Sequence, residues 1–481
     1  MVPERLQPLV EETRPLAERF ERGGHRLYLV GGVVRDALVG RLGPDGDLDF
    51  TTDATPSEIE SALDGWADAV WDQGRRFGTI GALRHRAAAG GLATRVLEIT
   101  THRSEAYHPD SRKPDVAFAS AVEADLSRRD FTVNAMALSL PDLRLIDPHG
   151  GVADLAAYRL ATPRSPDESF SDDPLRMLRA ARLIADYGLL PDPGVLDAVG
   201  RLRDRLEIVS PERIRTELDK LLTVGEPAEG LWFLVRTGLA DEFLPELTAL
   251  ALEQDPLHRH KDVLAHTVAV VEKTSPDRLL RLAALFHDVG KPKTRSFGPG
   301  GTVSFHHHET VGARMTRDRM RALRYPTDDI DVVTRLVELH LRFHTYQLGW
   351  TDSAVRRYVR DAGDQLARLN ELTRCDCTTR NAARARALSR RMDELEARTA
   401  ELAEREELAS LRPDLDGRAV MEHLGIGPGP AVGQALTYLL DLRIEEGPLG
   451  PDEARARLDQ WWSQVSCPPC GPSPPASSAP W

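Results

Sequence analysis

The sequence predicts an α+β chain, a mixed α/β head followed by helices. Three observations lead there. Between residues 27 and 147, short apolar runs end in glycine turns and alternate with short helical stretches. From residue 170 the apolar spacing is helical. The length of 481 residues with 41% hydrophobic content suffices for three or four domains of about 150 residues each.

The elements follow in order. Residues 4–22 read as an amphipathic helix with Leu6, Leu9, Val10, Leu16 and Phe20 on one side. Residues 27–34 read as a strand entering a glycine turn, 35–42 as a short helix and 47–52 as a second strand. Ala54–Ala67 opens on Thr-Pro-Ser and reads as a helix. Residues 77–83 and 93–100 are strands joined by a Gly/Ala turn. Residues 103–124 are polar and contain two prolines, which predicts a loop suited to a lid. The apolar run after Asn134 reads as helical, and Asp147–Gly151 is a turn that marks a hinge. Asp172, Asp173 and Pro174 open a helix that ends at Gly188, and Pro211 opens another. Residues 351–410 are helical and rich in Arg and Ala, and 417–465 form a last helical region. The expected organisation is a head at 1–148, a helical neck at 149–240, a metal-binding helical unit at 241–380, an arm at 381–465 and a disordered Pro/Ser tail at 466–481.

Composition narrows the class. No apolar run approaches the ~20 residues of a membrane span, and the first twenty residues lack an apolar signal core. Four cysteines in this length suit a reducing cytoplasm. Cys467 and Cys470 have zinc-like spacing but no second pair, and Cys375 and Cys377 read as buried small residues, so neither pair is assigned a metal. A net charge of −13 argues against a nonspecific polycation but leaves room for RNA on local basic patches.

The chemistry begins at Asp47 and Asp49. In an extended segment, side chains two apart share a face, and paired carboxylates call for a divalent cation. Gly31 and Gly32 just upstream let backbone amides approach an anion. Phosphate loop and metal carboxylates together equip a chain to move a nucleotidyl group. Glu98, on a later strand, is a candidate third carboxylate. Arg128, Arg129, Asp130 and Asn134 form a polar cluster, read either as phosphate and ribose contacts or as a capped helix with solvated arginines. Asp173 and Arg176 share a helix face, with Arg179 and Arg182 continuing a basic stripe. Arg213, Glu217 and Lys220 lie on one side of the next helix. Further on, His287 and Asp288 are adjacent at the end of an apolar helix, and with His266 and a later aspartate they offer mixed N/O ligands for Mn, Fe, Ni, Zn or Mg. His306, His307, His308, Glu309 and His340 are candidate extensions of that site. Arg356, Arg357 and Arg360, and then Arg380, Arg384, Arg386, Arg390 and Arg391, read either as solvated helix faces or as an RNA backbone track.

Taken jointly, Gly31-Gly32-x-x-Arg35-Asp36, Asp47-x-Asp49, Arg128-Arg129-Asp130-Phe131-x-x-Asn134, Asp147 with Asp154, Asp173-x-x-Arg176 and Arg213-x-x-x-Glu217-x-x-Lys220 resemble the class II tRNA nucleotidyltransferases. These CCA-adding enzymes share a family with bacterial poly(A) polymerases. The later part resembles an HD phosphohydrolase-type domain, and TDSAVRRYVRDAG, RCDCTTRN and LLDLRIEEGPLG resemble the actinobacterial form. The resemblance implies a polymerase-β-like head, a helical neck, an HD body and a helical arm that cradles tRNA. It implies addition of C, C and A to the tRNA 3′ end from CTP and ATP, without a nucleic-acid template. Asp47 and Asp49 would hold catalytic Mg2+; Gly31, Gly32 and Arg35 would contact the triphosphate. Arg128, Arg129, Asp130 and Asn134 would recognise the ribose. Asp173 and Arg176 would read the base, with Arg179 counted among the nucleotide-binding residues. His266, His287, Asp288 and Asp376 would hold a divalent metal (Mg, Mn, Ni or Zn) in the HD part. One departure is that the base-reading motif usually begins Glu-Asp, where this chain has Asp172-Asp173; in the family the first acid mainly orients the arginine. Two rivals are a poly(A) polymerase and an RNA-binding sensor whose HD site is the only active centre. Gln73 before Gly74-Arg75-Arg76-Phe77, and Gly78-Thr79 after it, look like the CCA-adding form.

Overall fold

Leu27–Val30 (β1) is apolar at each of its four positions and fully buried, as a central strand requires. It carries Leu48–Thr52 (β2) on one side and, on the other, a later strand. With Ala69–Trp71 (β3), Thr79–Ala88 (β4), Gly91–Thr101 (β5), the ribbon Arg103–His108 (β6) and Ser111–Phe118 (β7), Ala137–Leu140 (β8) and Leu145–Ile146 (β9), the head is complete. Seven of these form one sheet in the order β3-β4-β5-β2-β1-β8-β9, and β6 and β7 pair separately. Only β2 and β5 pair in parallel within the large sheet; its other neighbours are antiparallel. These coordinates are a computed structural model that describes residues 7–465, except 42–46, 89–90, 109–110, 120, 253–261, 300–301, 346–349, 378–381 and 407–410. His258, His260, Arg380, Cys467, Cys470 and the Pro/Ser tail lie outside the described residues.

Strand alternation divides the head into two faces. Leu48, Phe50, Leu97, Ile99, Leu27 and Leu29 pack with Leu16 and Phe20 of the helix Gln7–Arg22 and Ile59 and Leu63 of Pro56–Leu63. The alternate positions, Asp49 and Glu98 among them, face the other way. Thr55 and Glu58 close a capping box on the helix Pro56–Leu63, as the Thr-Pro-Ser start predicts.

Three expectations change. The first helix after the glycines spans Gly32–Val39, starting three residues earlier than expected, because Gly31 serves as its N-cap. The stretch 103–124 is not a loop: it holds the β6–β7 ribbon and the helix Val122–Ser127. Pro114 lies within β7, where a two-stranded ribbon has unpaired edges that accommodate proline. The apolar run after Asn134 is strand β8, paired with β1, preceded by a short 3-10 turn at Thr132–Asn134. A short apolar run lacks the periodicity to separate strand from helix.

Beyond the head the chain is almost wholly helical. One core runs from Phe131 through the neck to Leu402, so neck and body bury their apolar faces together. A separate core of Leu415, Val420, Ala435, Leu439 and Leu458 closes the C-terminal region, where Tyr438 and Trp461 stack at 5.2 Å. The cluster Arg356, Arg357 and Arg360 is engaged in joining these parts. Arg356 is buried and donates to Glu406 at 2.9 and 2.7 Å and to the Ile444 carbonyl. Arg357 pairs with Glu445, and Arg360 with Asp361 and Asp441. No helix among the described residues is long and apolar enough to cross a membrane.

Candidate active site

The head site grows from the parallel pairing of β2 with β5, which places Asp49 directly beside Glu98. The two carboxylates share a face, and Asp47, exposed, directly precedes the strand. Burial pushes the Asp49 carboxyl from 3.8 up to about 6, Arg129 opposes the shift, and the charges of Glu98 and Asp47 add to it. Three acids crowding one point is a poor arrangement without a cation, and an all-oxygen donor set suits Mg2+ or Mn2+. Gly31 makes the cradle tight. Its φ is +75°, and a Cβ there would lie 3.1 Å from Arg129 Nη1 and 3.6 Å from Asp49 Oδ2. The positive φ favours glycine, and a side chain there would press on the Arg129 guanidinium.

A connected set of arginines surrounds these carboxylates. Asp125, wholly buried on the helix Val122–Ser127, accepts from Arg128 at 2.6 Å and Arg129 at 3.1 Å. Burial opposes its ionisation, but the two arginines outweigh it and hold the carboxyl at about 2. Asp130 accepts from Arg179 Nε and Nη2 at 2.8 and 2.6 Å, from Asn134 Nδ2 at 3.1 Å and from the Phe131 amide at 2.9 Å. Burial again works against the charge, and Arg179 and Arg176 win, leaving Asp130 well below the ordinary carboxylate range. Glu217, buried on the helix Pro211–Leu222, faces Arg182 at 2.9 Å and Arg179 at 3.6 Å. Head and neck are thus joined through charge at the site itself.

Arg35 is buried in the same set. Its Nη1 donates to Asn134 Oδ1 at 2.6 Å and its Nη2 to the Tyr187 hydroxyl at 2.6 Å. Tyr187 in turn donates to Asp36 at 2.5 Å, and the Arg35 guanidinium lies 4.0 Å from the centre of its ring. Tyr187 ends the neck helix Leu175–Tyr187, so this clasp ties the glycine-turn helix to the neck. Tyr187→Phe removes one hydroxyl and leaves the ring. It should cost about 1–2 kcal/mol of head–neck stability and raise the KM for nucleotide more than it lowers kcat. An unchanged KM and melting curve would contradict the clasp.

Of the base-reading candidates, Arg176 stands in the first turn of the same neck helix, whereas Asp173 lies in extended backbone between the helix Pro166–Asp172 and Pro174, so the two do not share a helix face as expected. Asp173 Oδ1 accepts from the Leu175 amide at 3.1 Å, and Asp173 Oδ2 lies 3.6 Å from Arg213. Arg176 is buried and donates to Ser169 Oγ at 2.9 Å and to the Arg128 carbonyl at 2.5 Å. Asp172 does not orient Arg176 in this chain. It ends the helix Pro166–Asp172 and its carboxylate pairs with Arg164, leaving the orienting contacts to Ser169 and a backbone oxygen.

A second site lies at converging helix ends in the body. His266 stands on Val263–Lys273, His287 and Asp288 follow Arg278–Phe286, and Asp376 ends Leu366–Asp376. All four come together: His266 Nε2 lies 2.9 Å from Asp376 Oδ1, 3.3 Å from His287 Nε2 and 3.5 Å from Asp288 Oδ2. His308 and His340 arrive from two further helices and complete a second group with Asp288. His306 and His307 are exposed. The donor set of imidazoles and carboxylates fits a divalent transition metal. The rings are also prepared for it, because His287, His308 and His340 each hold Nδ1 2.7–2.8 Å from a backbone carbonyl, the usual anchoring of a metal-binding histidine.

Sequence reasoning missed Asp125 and Tyr187. Asp125 carried a signal, since its spacings of three and four to Arg128 and Arg129 place all three on one helical face. Tyr187 carried none, because its partners Arg35 and Asp36 lie about 150 residues away.

The arrangement of a small sheet with clustered acids, a glycine turn and a basic neck defines a nucleotidyltransferase head on a helical body with an HD-type centre. Comparison with known proteins agrees. A family model described as the poly A polymerase head domain matches residues 27–161. One described as a probable RNA and SrmB-binding site of polymerase A matches 188–250, and an HD domain model matches 261–409. An A-adding tRNA nucleotidyltransferase of Deinococcus radiodurans is 34% identical over 446 residues, 90% of this chain and 95% of that relative. A CCA-adding enzyme of Limosilactobacillus reuteri is 36% identical over 235 residues, 49% of this chain and 55% of the relative. The solved Bacillus stearothermophilus CCA-adding enzyme in complex with CTP shares the fold with a TM-score of 0.66 at 22% identity, over 97% of this chain and 99% of that one. A CCA-adding enzyme in complex with ATP aligns with a TM-score of 0.62 at 17% identity, over 96% of this chain and 97% of that one. The chain belongs to the tRNA nucleotidyltransferase family and is a transferase.

Proposed function

We propose that this chain adds C, C and A to the 3′ end of tRNA from CTP and ATP. The observation that carries this reading is the in-register pairing of Asp49 with Glu98 beside Gly31, joined by charge to the neck helix that bears Arg176 and directly follows Asp173. Asp47, Asp49 and Glu98 would hold Mg2+, which when bound acidifies the attacking 3′-hydroxyl and offsets charge on the leaving pyrophosphate. The remaining work belongs to the chain. The amides after Gly31, at the start of the helix Gly32–Val39, and Arg35 bind the triphosphate. Arg128 and Arg129, anchored by Asp125, face the phosphates and sugar. Asp130 already accepts four hydrogen bonds, so its part is to fix Arg179 and Asn134 around the ribose. Asp173 accepts from the amino group shared by cytosine and adenine, and Arg176 donates to the neighbouring ring nitrogen or carbonyl; G and U present the wrong pattern.

The body site is proposed to act on phosphate esters. Lys291, whose Nζ lies 2.6 Å from Asp288 Oδ2, adds a cation beside the ligands. The cytoplasm is the compartment this substrate demands. A second reading has one specific support: the relative that aligns over most of both chains is named an A-adding enzyme, and addition of A alone would use the same site. Incubation of tRNA that ends at the discriminator base with labelled CTP alone separates the two. Gain of two C residues is expected; no C incorporation, with A added only to tRNA ending in CC, would replace the three-nucleotide reading.

A further inference from the structure

We infer that the Trp71 indole is the platform on which the last base of the RNA stacks while its 3′-hydroxyl meets the head carboxylates. This rests on the proposed nucleotide addition and names how the head holds the RNA end. Strand register places the ring there. Trp71 on β3 pairs with Gly81 on β4, Gly81 with Glu98 on β5, and Glu98 with Asp49 on β2. Residues paired in register share a face of the sheet, so the four form one row on the side away from the apolar core of Leu97, Ile99 and Phe50. Gly81 adds no side chain to the row, and Trp71 fills its place: a Cβ on Gly81 would overlap Cε2, Nε1 and Cζ2 of the indole. The ring therefore lies across Gly81, one strand spacing of about 4.8 Å from the Glu98 backbone and two from that of Asp49.

The direction of the reaction assigns the occupant. In phosphoryl transfer the attacking and leaving oxygens lie roughly in line across the phosphorus. The sheet order β3-β4-β5-β2-β1 puts β1 and β5 on opposite flanks of β2. The glycine turn after β1, the helix that carries Arg35, and the neck, tied to Arg35 by Tyr187, gather on the β1 flank. That flank takes the triphosphate and the incoming base, and the pyrophosphate leaves there. The attacking 3′-hydroxyl then enters from the β5 flank, the one that bears Glu98, Gly81 and Trp71. Trp71 remains 37% exposed although Gly81 covers one side of its ring, and β3 is an edge strand with all three residues exposed. An aromatic plane left open beside a reacting centre fits the face of a base. Such stacking tolerates any base, as a site must that receives the discriminator base and then two successive C residues. An aromatic ring on a strand glycine also supports the sheet, which explains the covered side of the indole but not the open one.

The test uses the full chain bound to tRNA that ends in CC with 5-iodocytidine as its last nucleotide. Irradiation crosslinks the iodinated base to an aromatic side chain stacked on it, and mass spectrometry locates the adduct. A crosslink at Trp71 is expected; a bound complex that crosslinks elsewhere, or not at all, would overturn the platform. In parallel, Trp71→Leu, which still covers Gly81 but offers no ring, is compared with Trp71→Phe in the addition of A to tRNA ending in CC, with folding checked by circular dichroism. Trp71→Leu should lose roughly tenfold in kcat/KM for tRNA at an unchanged KM for ATP, and Trp71→Phe should recover most of that loss. On tRNA whose last nucleotide lacks its base, the parent and Trp71→Leu should perform alike. Undiminished addition by Trp71→Leu, or a loss that persists on the abasic end, would reduce Trp71 to a support of the sheet and overturn the platform. If Trp71→Leu does not fold, the crosslink decides. A crosslink at Trp71 in a protein that adds no nucleotide would leave the platform standing and remove the proposed addition.

Discussion

Asp49→Asn should abolish nucleotide addition and at the same time stabilise the metal-free protein. The loss follows from removing a central ligand of the proposed ion site. Single preorganised electrostatic contacts are worth roughly 10²–10³ in rate, and a carboxylate that holds a metal should lie at or above the upper end. The gain follows from the raised pKa. Asp49 titrates at about 6 in the folded chain against 3.8 for an ordinary aspartate. Folding therefore favours its neutral form, and the cost of ionising it is absent below about pH 4, grows between 4 and 6 and is complete above 6. Asparagine carries no such cost, so at pH 7–8 the variant should gain on the order of 2 kcal/mol without Mg2+. The difference should shrink at pH 4.5 and shrink again when Mg2+ is supplied to the parent. Thermal unfolding of both proteins across pH, with and without Mg2+, checks this; a variant less stable than the parent at pH 8 would contradict the crowding of Asp49 by Glu98 and Asp47. The same titration predicts that Mg2+ affinity falls as the pH drops below about 6, because the ion must displace a proton.

Asp130→Asn should be the most destabilising polar change in the head–neck junction. Asp130 is 8% exposed and takes two hydrogen bonds from Arg179. Removing one partner of a buried ion pair costs about 3–5 kcal/mol, and since Glu217 still faces Arg179 at 3.6 Å, the lower end, about 3 kcal/mol, is expected. Denaturant unfolding followed by tryptophan fluorescence and circular dichroism measures it. Because the Asp130 carboxyl is held below its ordinary value, the pair stabilises fully above an unfolded pKa of about 4 and fades as the pH falls below that. Asp130→Asn should accordingly flatten the acid limb of the stability curve. A cost under about 1 kcal/mol would mean that the junction relies on packing rather than on this charge. Nucleotide addition should drop with it, because Arg179 and Asn134 lose their anchor; restoring the charge with Asp130→Glu should recover stability less fully, as the longer arm cannot keep four donors in place.

Much of this site is legible in the chain because its chemistry is local. Asp47-x-Asp49, Gly31-Gly32 and His287-Asp288 declare themselves by spacing, and the strand alternation around Leu48, Asp49 and Phe50 already says which side faces a ligand. Glu98 was a candidate only, since its place beside Asp49 depends on a parallel pairing across about 50 residues. Elements failed where local signals were ambiguous. The apolar run Ala135–Leu140 fits a helix or a strand by length, and the prolines near β7 pointed to a loop although a ribbon edge tolerates one. His266, Asp376, His308 and His340 are candidates by residue type alone, and helix packing is what brings them to His287 and Asp288. The arginines of residues 356–360 are ambiguous in a different way: a basic helix face looks the same in sequence whether it meets RNA, solvent or, as Arg356 does, a buried Glu406.

The head should extend a tRNA end by a fixed number of nucleotides, and product length tests this most directly. Purified protein is incubated with Mg2+, CTP, ATP and tRNA ending at the discriminator base, and separately with an unstructured RNA of similar length; 3′ ends are then sequenced. Growth by C, C and A on the tRNA, termination at that point and little extension of the unstructured RNA are expected. A long run of A on either RNA, or undiminished addition by Asp49→Asn, would contradict it.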